Sequence, residues 1–348
     1  MEIINDKIVL NVQIDGIESR FILDTGAPLL ISKSLYDQLS IETLAILPNS
    51  DANANVDTSR IVKTNEIKLG GFTFNDIPAV VLDLEKTPLR CDGIDGFIGS
   101  NLLRLLAIEF KIDKKLVILS TSPEKGMYSD SITLFMDAQN TPLFKVKIGS
   151  TIDTVMFDTG DNSFYTSKLE FVDKNLADFN ILLSGNGSEG QSVFGKGIES
   201  PSYLLKENLQ IGTTLFEETR FSTTPANISR VGFKFLEKAH VLLDYPSEKL
   251  FFSQQNHKVS TYKTHGFSIY EANGDVFIGN VWNSTPAYKA GLQPGDQIMK
   301  IDDLLLKGDF CDVQDKLGQL LEKPSIELNI KSRGSSDIKT FTLDQVSL

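Results

Sequence analysis

The chain has 348 residues, which is enough for two or three domains. Hydrophobic residues make up 41% of it and charged residues 23%, as is ordinary for a soluble globular protein. The formal net charge of -12 at pH 7 argues against a nucleic-acid partner, because phosphate binding requires clustered Lys and Arg.

The cysteines and histidines give no support for a metal or cofactor site. Cys91 and Cys311 are distant in sequence and fall in what we interpret as different domains, so we expect two inert thiols rather than a disulfide. His240, His257 and His265 are scattered, which does not fit the spacing of metal ligands. We therefore predict neither a metal nor a cofactor.

The start of the chain leaves its cellular location open. No run of 18 or more apolar residues is present, so no transmembrane helix is predicted. Residues 1–20 mix acidic and basic side chains into a strand-like pattern, unlike a signal peptide. The sequence is compatible with a cytoplasmic protein, or with an exported or periplasmic one from which a leader was removed.

The tripeptide Asp-Thr-Gly occurs twice, each time after an apolar run. The first copy, in FILDTGAPLLIS, is Asp24, Thr25 and Gly26, and the second copy, in VMFDTGDNSFYTS, is Asp158, Thr159 and Gly160. One chance copy in a chain of this length is expected on the order of a few per cent of the time. Two copies in matching surroundings therefore indicate a paired function.

The surroundings of the two triplets also repeat, which predicts an internal duplication. An apolar-Gly step follows each triplet at nearly the same offset, ending at Gly99 and at Gly232. After each step we predict a short helix, SNLLRLLA or FKFLEKAH, and then a pair of strands around a polar turn. Alternating apolar residues and Gly, Asn or Asp turns make both halves β-rich.

A third unit follows Phe252. A polar linker begins at Ser253, and the strand GDVFIGNV, a short helix at Pro286, a turn at Pro294 and a helix near DFCDVQDKLGQLLE come after it. Two more strands, SIELNIKS and DIKTFTL, complete the unit. We predict three domains, at residues 1–122, 130–256 and 262–348.

Residues 1–256 resemble a bilobal aspartic peptidase of the pepsin and retropepsin kind. The matched features are Leu23-Asp-Thr-Gly-Ala27, the second Asp-Thr-Gly and the apolar-Gly step at Gly99. The resemblance implies a mainly β protein with two retropepsin-like β-barrel lobes, one from each half. It implies an aspartic-type endopeptidase with Asp24 and Asp158 as the catalytic dyad and a polypeptide as its substrate. Thr25 and Thr159 are then expected to brace the two loops across the interface.

Two facing carboxylates suit this chemistry because they do not both ionise easily. Sharing one proton makes the pair a general acid and a general base at once, so that it can activate a water molecule. Gly26 and Gly160 let the backbone pass close to the carboxylates. No covalent intermediate is required, which agrees with the lack of a Ser-His-Asp or Cys-His pattern.

Two positions depart from the family pattern. Asp161 follows the second triplet where Ser, Thr or Ala is usual, and a third carboxylate there either raises the apparent pKa of the dyad or points into solvent. Arg230 occupies an apolar position of the second apolar-Gly step. We hypothesise that Arg230 compensates the charge of Asp161, which makes both residues modulators of the dyad.

Substrate-covering flaps are expected between each triplet and its apolar-Gly step. In the second half the Gly-rich stretch from Ser184 to Gly197 fits a hairpin, although a plain surface loop fits nearly as well. The equivalent stretch in the first half, from Ser50 to Lys63, is polar and has no Gly. No flap tyrosine can be named.

The third unit resembles a PDZ domain of the bacterial type, a small α+β fold. Pro286-Ala287, Ala290-Gly291-Leu292 and Pro294-Gly295-Asp296 are its most specific features. The resemblance implies that a peptide C-terminus or an internal strand binds along a sheet edge. The expected peptide-binding residues are His265, Gly266, Phe267 and Ser268, and the facing helix includes Phe310, Val313 and Leu317.

Two functions remain open at this point. The first is a monomeric aspartic endopeptidase whose PDZ domain binds or positions polypeptide. The alternative is a catalytically inactive peptide-binding protein that keeps the cleft between the lobes and the PDZ groove, and Asp161 is the residue that discriminates between them. An obligate homodimer with one lobe from each chain is unnecessary, because both aspartates lie in one chain.

Overall fold

The computed structural model of the protein describes residues 1–188, 190–255 and 261–348. We call residues 1–122 the N-terminal segment, the described residues from 130 to 255 the middle segment and residues 261–348 the C-terminal segment. The polar linker predicted from Ser253 lies partly outside the described residues, and His257 lies outside them. The structure is mainly β, as predicted.

The N-terminal segment contains twelve strands, two short α-helices and three turns of 3-10 helix. Its strands are β1 (Glu2–Ile4), β2 (Lys7–Ile14), β3 (Ile17–Leu23), β4 (Leu30–Ser32), β5 (Glu42–Ser50), β6 (Val56–Lys63), β7 (Glu66–Leu69), β8 (Phe72–Asn75), β9 (Pro78–Leu82), β10 (Gly96–Ile98), β11 (Ala107–Lys111) and β12 (Leu116–Ser120). Its helices are α1 (Lys33–Tyr36) and α2 (Ser100–Leu103), and its 3-10 turns are Leu84–Lys86, Pro88–Asp92 and Ile112–Lys114.

The described part of the middle segment adds thirteen strands, two α-helices and one 3-10 turn. Its strands are β13 (Asp130–Thr133), β14 (Phe135–Met136), β15 (Pro142–Ile148), β16 (Thr151–Phe157), β17 (Tyr165–Lys168), β18 (Ile181–Gly187), β19 (Gln191–Ser192), β20 (Gly195–Lys196), β21 (Ser200–Ile211), β22 (Thr214–Thr224), β23 (Ser229–Val231), β24 (Ala239–Asp244) and β25 (Lys249–Gln254). Its helices are α3 (Leu169–Lys174) and α4 (Phe233–Lys238), with a 3-10 turn at Leu176–Asp178.

The C-terminal segment has eight strands and two α-helices. Its strands are β26 (Lys263–Thr264), β27 (Phe267–Ala272), β28 (Asp275–Trp282), β29 (Gln297–Ile301), β30 (Leu304–Leu305), β31 (Ser325–Lys331), β32 (Ile338–Asp344) and β33 (Val346–Ser347). Its helices are α5 (Pro286–Ala290) and α6 (Gln314–Leu321), and a 3-10 turn at Phe310–Asp312 precedes α6.

Six strands of the middle segment form a closed barrel. They pair in the order β15, β16, β23, β17, β22 and β21, and β21 pairs back with β15. Two of these contacts are parallel, β16 with β23 and β17 with β22. Closure leaves no free edge within the ring of six strands, so their backbone groups are paired on both sides.

The N-terminal segment pairs its strands in a comparable order. The path runs β2, β3, β10, β4, β9 and β6, and the parallel contacts are β3 with β10 and β4 with β9. The return to β2 is made by β7, which follows β6 after Thr64 and Asn65. In both segments a central strand therefore ends beside a parallel neighbour, immediately before an Asp-Thr-Gly triplet.

Short turns with left-handed backbone hold several of these hairpins. Asp15 and Gly16 have φ angles of 47° and 86° between β2 and β3, and Asn273 and Gly274 have 55° and 85° between β27 and β28. Asn, Asp and Gly adopt positive φ at low cost, and two such residues form the turn that suits the twist of paired strands. The Gly, Asn and Asp signals in the sequence thus mark real hairpins.

The N-terminal and middle segments share one sheet and one hydrophobic core. A five-stranded sheet runs β12, β11, β24, β25 and β13, with β11 antiparallel to β24 across the two segments. Behind it, the buried rings of Phe110 and Phe157 meet edge to face with centroids 6.1 Å apart. This shared core fixes the relative position of the two Asp-Thr-Gly loops.

The C-terminal segment has its own core, built around α6 and strands β28, β29 and β31. It joins the middle segment through antiparallel pairing of β18 with β28, where Gly185 faces Trp282. Against the N-terminal segment it places Glu271, whose carboxylate lies 3.3 Å from the guanidinium of Arg90. Strand pairing and this largely buried ion pair hold the segment against the other two.

The expectation of two inert thiols was wrong, because Cys91 and Cys311 form a disulfide across 220 residues of chain. Cys91 lies in the 3-10 turn Pro88–Asp92 and Cys311 in the turn before α6. Sequence separation gave the wrong answer because the C-terminal segment folds back against the N-terminal segment. The bond is a covalent tie between these two segments.

Replacing both cysteines by serine is expected to lower the free energy of unfolding by about 2–4 kcal/mol, because the disulfide restricts the unfolded chain. Urea titration of the oxidised wild type and of the Cys91→Ser/Cys311→Ser variant measures the difference. Reductant should lower the midpoint of the wild type and leave that of the variant unchanged. Equal midpoints for the two oxidised proteins would contradict the prediction.

Candidate active site

The two Asp-Thr-Gly loops leave their strands in the same way. Asp24 follows β3, and its N–H donates to the carbonyl of Ile98 at 3.0 Å. Asp158 follows β16, and its N–H donates to the carbonyl of Val231 at 2.9 Å. In each case the acceptor lies on the parallel neighbour strand, so the apolar-Gly step positions the loop that carries the carboxyl group.

The two threonines bind the loops to each other, as the family resemblance implies. The N–H of Thr25 donates to Oγ1 of Thr159 at 3.1 Å, and the N–H of Thr159 donates to Oγ1 of Thr25 at 3.0 Å. Each hydroxyl then donates across the interface, Thr25 to the carbonyl of Phe157 at 2.6 Å and Thr159 to that of Leu23 at 2.7 Å. All these groups are buried, so the loops are fixed by a fully paired network.

Each glycine makes room for the carboxyl group of the opposite loop. A methyl group at Gly26 would lie 2.5 Å from Cγ of Asp158, and one at Gly160 would lie 2.3 Å from Oδ2 of Asp24. The glycine N–H groups also donate 2.9 Å hydrogen bonds to Oδ1 of the aspartate in their own loop. Any side chain at these two positions would push the carboxyl groups apart.

Asp24 and Asp158 form a buried carboxyl pair within hydrogen-bonding reach of each other. Burial and the neighbouring Asp24 hold the pKa of Asp158 well above its usual value, and Asp161 adds to this effect. Burial also raises the pKa of Asp24, while the hydrogen bond from Gly26 opposes the rise. The pair therefore keeps one proton to a higher pH than two isolated carboxyl groups would.

Asp161 does not point into solvent but makes an ion pair with Arg230. Its Oδ2 lies 2.9 Å from Nε of Arg230, at an angle that makes the contact electrostatic rather than a directed hydrogen bond. Burial alone would raise the pKa of Asp161, but Arg230 and hydrogen bonds from Ser163 outweigh it and leave the pKa below its usual value. Nε of Arg230 is also 3.9 Å from Oδ2 of Asp158.

Lys7 is a member of the site that the sequence analysis did not single out. Its ammonium group donates to the carbonyl of Gly160 and to Oδ1 of Asn162. Burial lowers the pKa of Lys7, although Asp161 and the carboxyl pair act to raise it. A single lysine at the start of an amphipathic strand carries no sequence signal for this role, because only the fold brings β2 beside the second loop.

Two hairpins cover the carboxyl pair. The first joins β5 to β6 at Asp51–Asn55, and it forms without Gly because Oδ1 of Asp51 accepts the N–H groups of Asn53 and Asn55, both at 2.9 Å. Its tip is held from below by Arg230, whose Nη1 donates to the carbonyl of Ala52 at 2.7 Å. Arg230 thus connects the hairpin tip to the buried carboxyl groups.

The second hairpin, β19 with β20, lies in the Gly-rich stretch predicted as a flap, of which residue 189 is outside the described residues. Its Phe194 N–H donates to Oδ2 of Asp51 at 3.2 Å, and the Asn55 amide donates to the carbonyl of Lys196 at 3.1 Å. The two tips therefore meet above a cleft of about 660 Å³ whose floor holds the carboxyl pair.

The predicted peptide-binding residues lie in the C-terminal segment and are not among the residues that line this cleft. His265 is 4% exposed, burial lowers its pKa, and its carbonyl accepts the N–H of Ala287 at 3.1 Å. Gly266 has a φ angle of 99°, which suits glycine. Phe267 begins β27, and the hydroxyl of Ser268 donates to the carbonyl of Ser188 at 2.9 Å.

The predicted facing helix is only partly as expected. Leu317 lies in α6 and is buried, but Phe310 belongs to the preceding 3-10 turn and Val313 caps the helix at its start. Among the described residues, no group of three or more His, Cys, Asp or Glu side chains could hold a metal ion. Within those residues no helix is long and apolar enough to cross a membrane.

Comparison with known families gives a match that includes the first carboxyl loop. The family model described as aspartyl protease matches residues 10–102, which include Asp24, Thr25 and Gly26 and the apolar-Gly step at Gly99. No match to the chain was found among the curated proteins. Over residues 10–102 the chain is similar to aspartyl proteases, and this supports a protease activity at the general level.

Proposed function

We propose that the protein is an aspartic endopeptidase that hydrolyses peptide bonds with a water molecule activated by Asp24 and Asp158. The observation that carries the proposal is the reciprocal packing of the two loops, in which each carboxyl group lies over the glycine of the other. A pair of buried carboxyl groups whose pKa values are both raised is suited to acid and base catalysis together.

The two carboxyl groups exchange protons with the water molecule and the substrate. In the proposed cycle Asp158 starts with the shared proton and donates it to the oxygen of the scissile carbonyl. Asp24 takes a proton from the water molecule while the oxygen of that water attacks the carbonyl carbon. When the C–N bond breaks, Asp24 returns this proton to the leaving nitrogen, and the second hydroxyl of the intermediate gives its proton back to Asp158.

We also propose that the N-terminal and middle segments are two lobes that arose by duplication, and that residues 262–348 form a PDZ domain. The comparable strand order of the two segments and the two equivalent N–H contacts of Asp24 and Asp158 support the first idea. The separate core of the C-terminal segment, with β27 and α6 side by side, supports the second. The disulfide favours an oxidising compartment.

A peptide-binding protein without catalysis is the second candidate. The observation that favours it is the contact of both hairpin tips with each other above the cleft. Against it, the charge of Asp161 is matched by Arg230, so the third carboxylate does not leave the site with an unpaired charge.

Cleavage of a mixed peptide library between pH 3 and pH 8 separates the two candidates. Products mapped by mass spectrometry for the wild type, and their loss in Asp24→Asn, are expected for the peptidase. Inhibition by a peptide that carries a hydroxyl group in place of the scissile carbonyl is expected as well, because it replaces the activated water. Peptide binding without cleavage at any pH would establish the second candidate.

A further inference from the structure

Cross-strand pairing gives the N-terminal segment a row of apolar side chains beside Asp24. The path starts at Ile22, two residues before Asp24, and Ile22 pairs with Phe97 on the parallel strand β10. Phe97 pairs with Leu30 on the antiparallel strand β4, and Leu30 pairs with Val80 on the parallel strand β9. These side chains line the cleft whose floor holds the carboxyl pair. We call Phe97, Leu30 and Val80 the apolar row.

The middle segment has an equivalent row beside Asp158, reached by the same steps from strand to strand. Met156, two residues before Asp158, pairs with Arg230 on the parallel strand β23. Arg230 pairs with Thr166 on the antiparallel strand β17, and Thr166 pairs with Ser222 on the parallel strand β22. These side chains line the same cleft. We call Arg230, Thr166 and Ser222 the polar row, because they occupy the positions that are apolar in the N-terminal segment.

The apolar row belongs to a hydrophobic cluster that is separate from the main core. Leu82 extends the cluster, and Val193 at the tip of the second hairpin packs against it. Leu30, Val80 and Phe97 are 5%, 8% and 7% exposed, so each keeps some surface that a substrate can contact. Burial of apolar surface stabilises a complex in proportion to its area. This side of the cleft therefore favours a large apolar side chain.

The polar row offers hydrogen-bonding groups instead. The hydroxyl of Thr166 donates to Oγ of Ser163 at 2.8 Å and keeps the capacity to accept, while Ser222 is half-buried. The middle segment contributes further Ser, Thr and Asn side chains to the cleft lining, namely Asn162, Ser163, Ser200, Ser202, Thr223, Thr224 and Asn227. An apolar side chain against these groups would remove water from them without replacing its hydrogen bonds, which is costly.

The charge of Arg230 is matched within the protein. Its Nε lies 2.9 Å from Oδ2 of Asp161 and 3.9 Å from Oδ2 of Asp158, and its Nη1 donates to the carbonyl of Ala52. The guanidinium is therefore engaged by carboxylates and does not require an acidic group from the substrate. An uncharged polar side chain suits this row best.

We infer that the cleft selects a peptide bond between one large apolar residue and one uncharged polar residue, in a fixed order. The apolar residue lies against the apolar row, and Ser, Thr, Asn or Gln lies against the polar row. Each row adjoins a different member of the carboxyl pair, so exchange of the two residues is expected to disfavour cleavage. The inference rests on the proposed peptidase function and names its substrate class, and the opposite chemistry of the two equivalent rows carries it.

Four peptides with one common flanking sequence of Ala and Gly test the inference. Their central pairs are Phe-Thr, Thr-Phe, Phe-Phe and Thr-Thr, and mass spectrometry verifies that the bond within the pair is cut. One of the two mixed peptides is expected to have a kcat/KM about 10-fold or more above that of the other three. A highest value for Phe-Phe or Thr-Thr, or equal values for the two mixed peptides, would overturn the inference.

Ser222→Val makes the polar row more apolar, and valine suits a strand position. We expect the kcat/KM for Phe-Phe to rise about 10-fold relative to that for the preferred mixed peptide. The fraction of folded enzyme cancels in this ratio, so partial unfolding alone does not change it. Ser131→Val is the matched control, because Ser131 is exposed on β13 and does not line the cleft. An unchanged ratio in Ser222→Val, or the same change in Ser131→Val, would contradict the role of the row.

Val80→Thr is the converse change and keeps nearly the same side-chain shape. It places a hydroxyl group in the apolar row, so the kcat/KM for the preferred mixed peptide should fall about 10-fold relative to that for Thr-Thr. Here too the ratio of the two peptides is compared within one variant. A ratio equal to that of the wild type would show that the apolar row does not contact the substrate.

Peptide binding keeps the two proposals separable. The affinity of the four peptides for Asp24→Asn is measured by fluorescence anisotropy. If the wild type cleaves none of them, the proposed peptidase function fails, while binding of one mixed peptide about 10-fold more tightly than the other three still supports selection by the two rows. Equal affinities would reject that selection. Cleavage of all four peptides with equal kcat/KM would reject the selection and keep the peptidase.

Discussion

Asp158→Asn is expected to abolish peptide hydrolysis and at the same time to stabilise the folded protein at pH 7. An amide can neither hold the shared proton as an acid nor pass it on, and general acid–base catalysis contributes about 10²–10⁴-fold to such reactions. The gain in stability follows from the cost of burying Asp158 beside Asp24, which holds the pKa of Asp158 well above its usual value. Asn is neutral at every pH and avoids this cost.

The direction in which the pKa of Asp158 is shifted determines how the stability of the folded protein changes with pH. A carboxyl group whose folded pKa is raised contributes its full stability below the unfolded pKa of about 3.9, and this contribution is lost as the pH rises through the folded pKa. The thermal midpoint of Asp158→Asn should therefore exceed that of the wild type at pH 7 and equal it near pH 3.5. Asp113→Asn, in an exposed turn, controls for the loss of one negative charge. A variant that is inactive but no more stable at pH 7 would contradict the account of the pair.

The carboxyl loops were predictable from sequence because their contacts are built from the repeated residues themselves. Thr25 and Thr159 bond to each other, and Gly26 and Gly160 make room for the opposite carboxyl group. A pattern that occurs twice in one chain therefore carries both halves of the interaction. The hairpins of the fold were predictable for a similar reason, since Asn, Asp and Gly at positive φ are local signals.

The rest of the site depends on neighbours that no local pattern specifies. The ammonium group of Lys7 reaches Gly160 only because β2 passes the second loop, and Cys91 meets Cys311 only because the C-terminal segment folds back. A flap was expected in the first half, in the stretch from Ser50 to Lys63, but the residue that makes its turn was missed, since the carboxylate of Asp51 organises the turn in place of a Gly. The pairing of Arg230 with Asp161 was a hypothesis from charge alone, and the geometry added Ala52 as a third partner.

Arg230→Met is expected to lower the free energy of unfolding at pH 7 by about 3–5 kcal/mol, because it leaves the largely buried carboxylate of Asp161 without its ion-pair partner. The double variant Arg230→Met/Asp161→Asn should recover most of this loss, since it removes the unpaired charge as well. Urea titration of the wild type, both single variants and the double variant measures the coupling. Additive effects of the two substitutions would show that Arg230 and Asp161 do not act as a pair.

The loss of stability in Arg230→Met also changes with pH in a definite direction. The folded pKa of Asp161 lies below its usual value, so the stability that the ion pair provides is present above the unfolded pKa and is lost as the pH falls through the folded pKa. The deficit of Arg230→Met should therefore shrink towards pH 3.

Catalysis should respond to Arg230→Met in two separable ways. Without the guanidinium, the pKa of Asp158 rises further, which shifts the alkaline limb of the pH–rate profile to higher pH. The hairpin tip also loses the hydrogen bond to Ala52, and Arg230→Lys, which keeps the charge but has no forked donor, isolates this second effect. A profile for Arg230→Lys like that of the wild type, with a higher KM, is expected if Arg230 both balances charge and holds the hairpin. A shifted limb in Arg230→Lys as well would mean that the position of the guanidinium, and not its charge alone, sets the pKa of the pair.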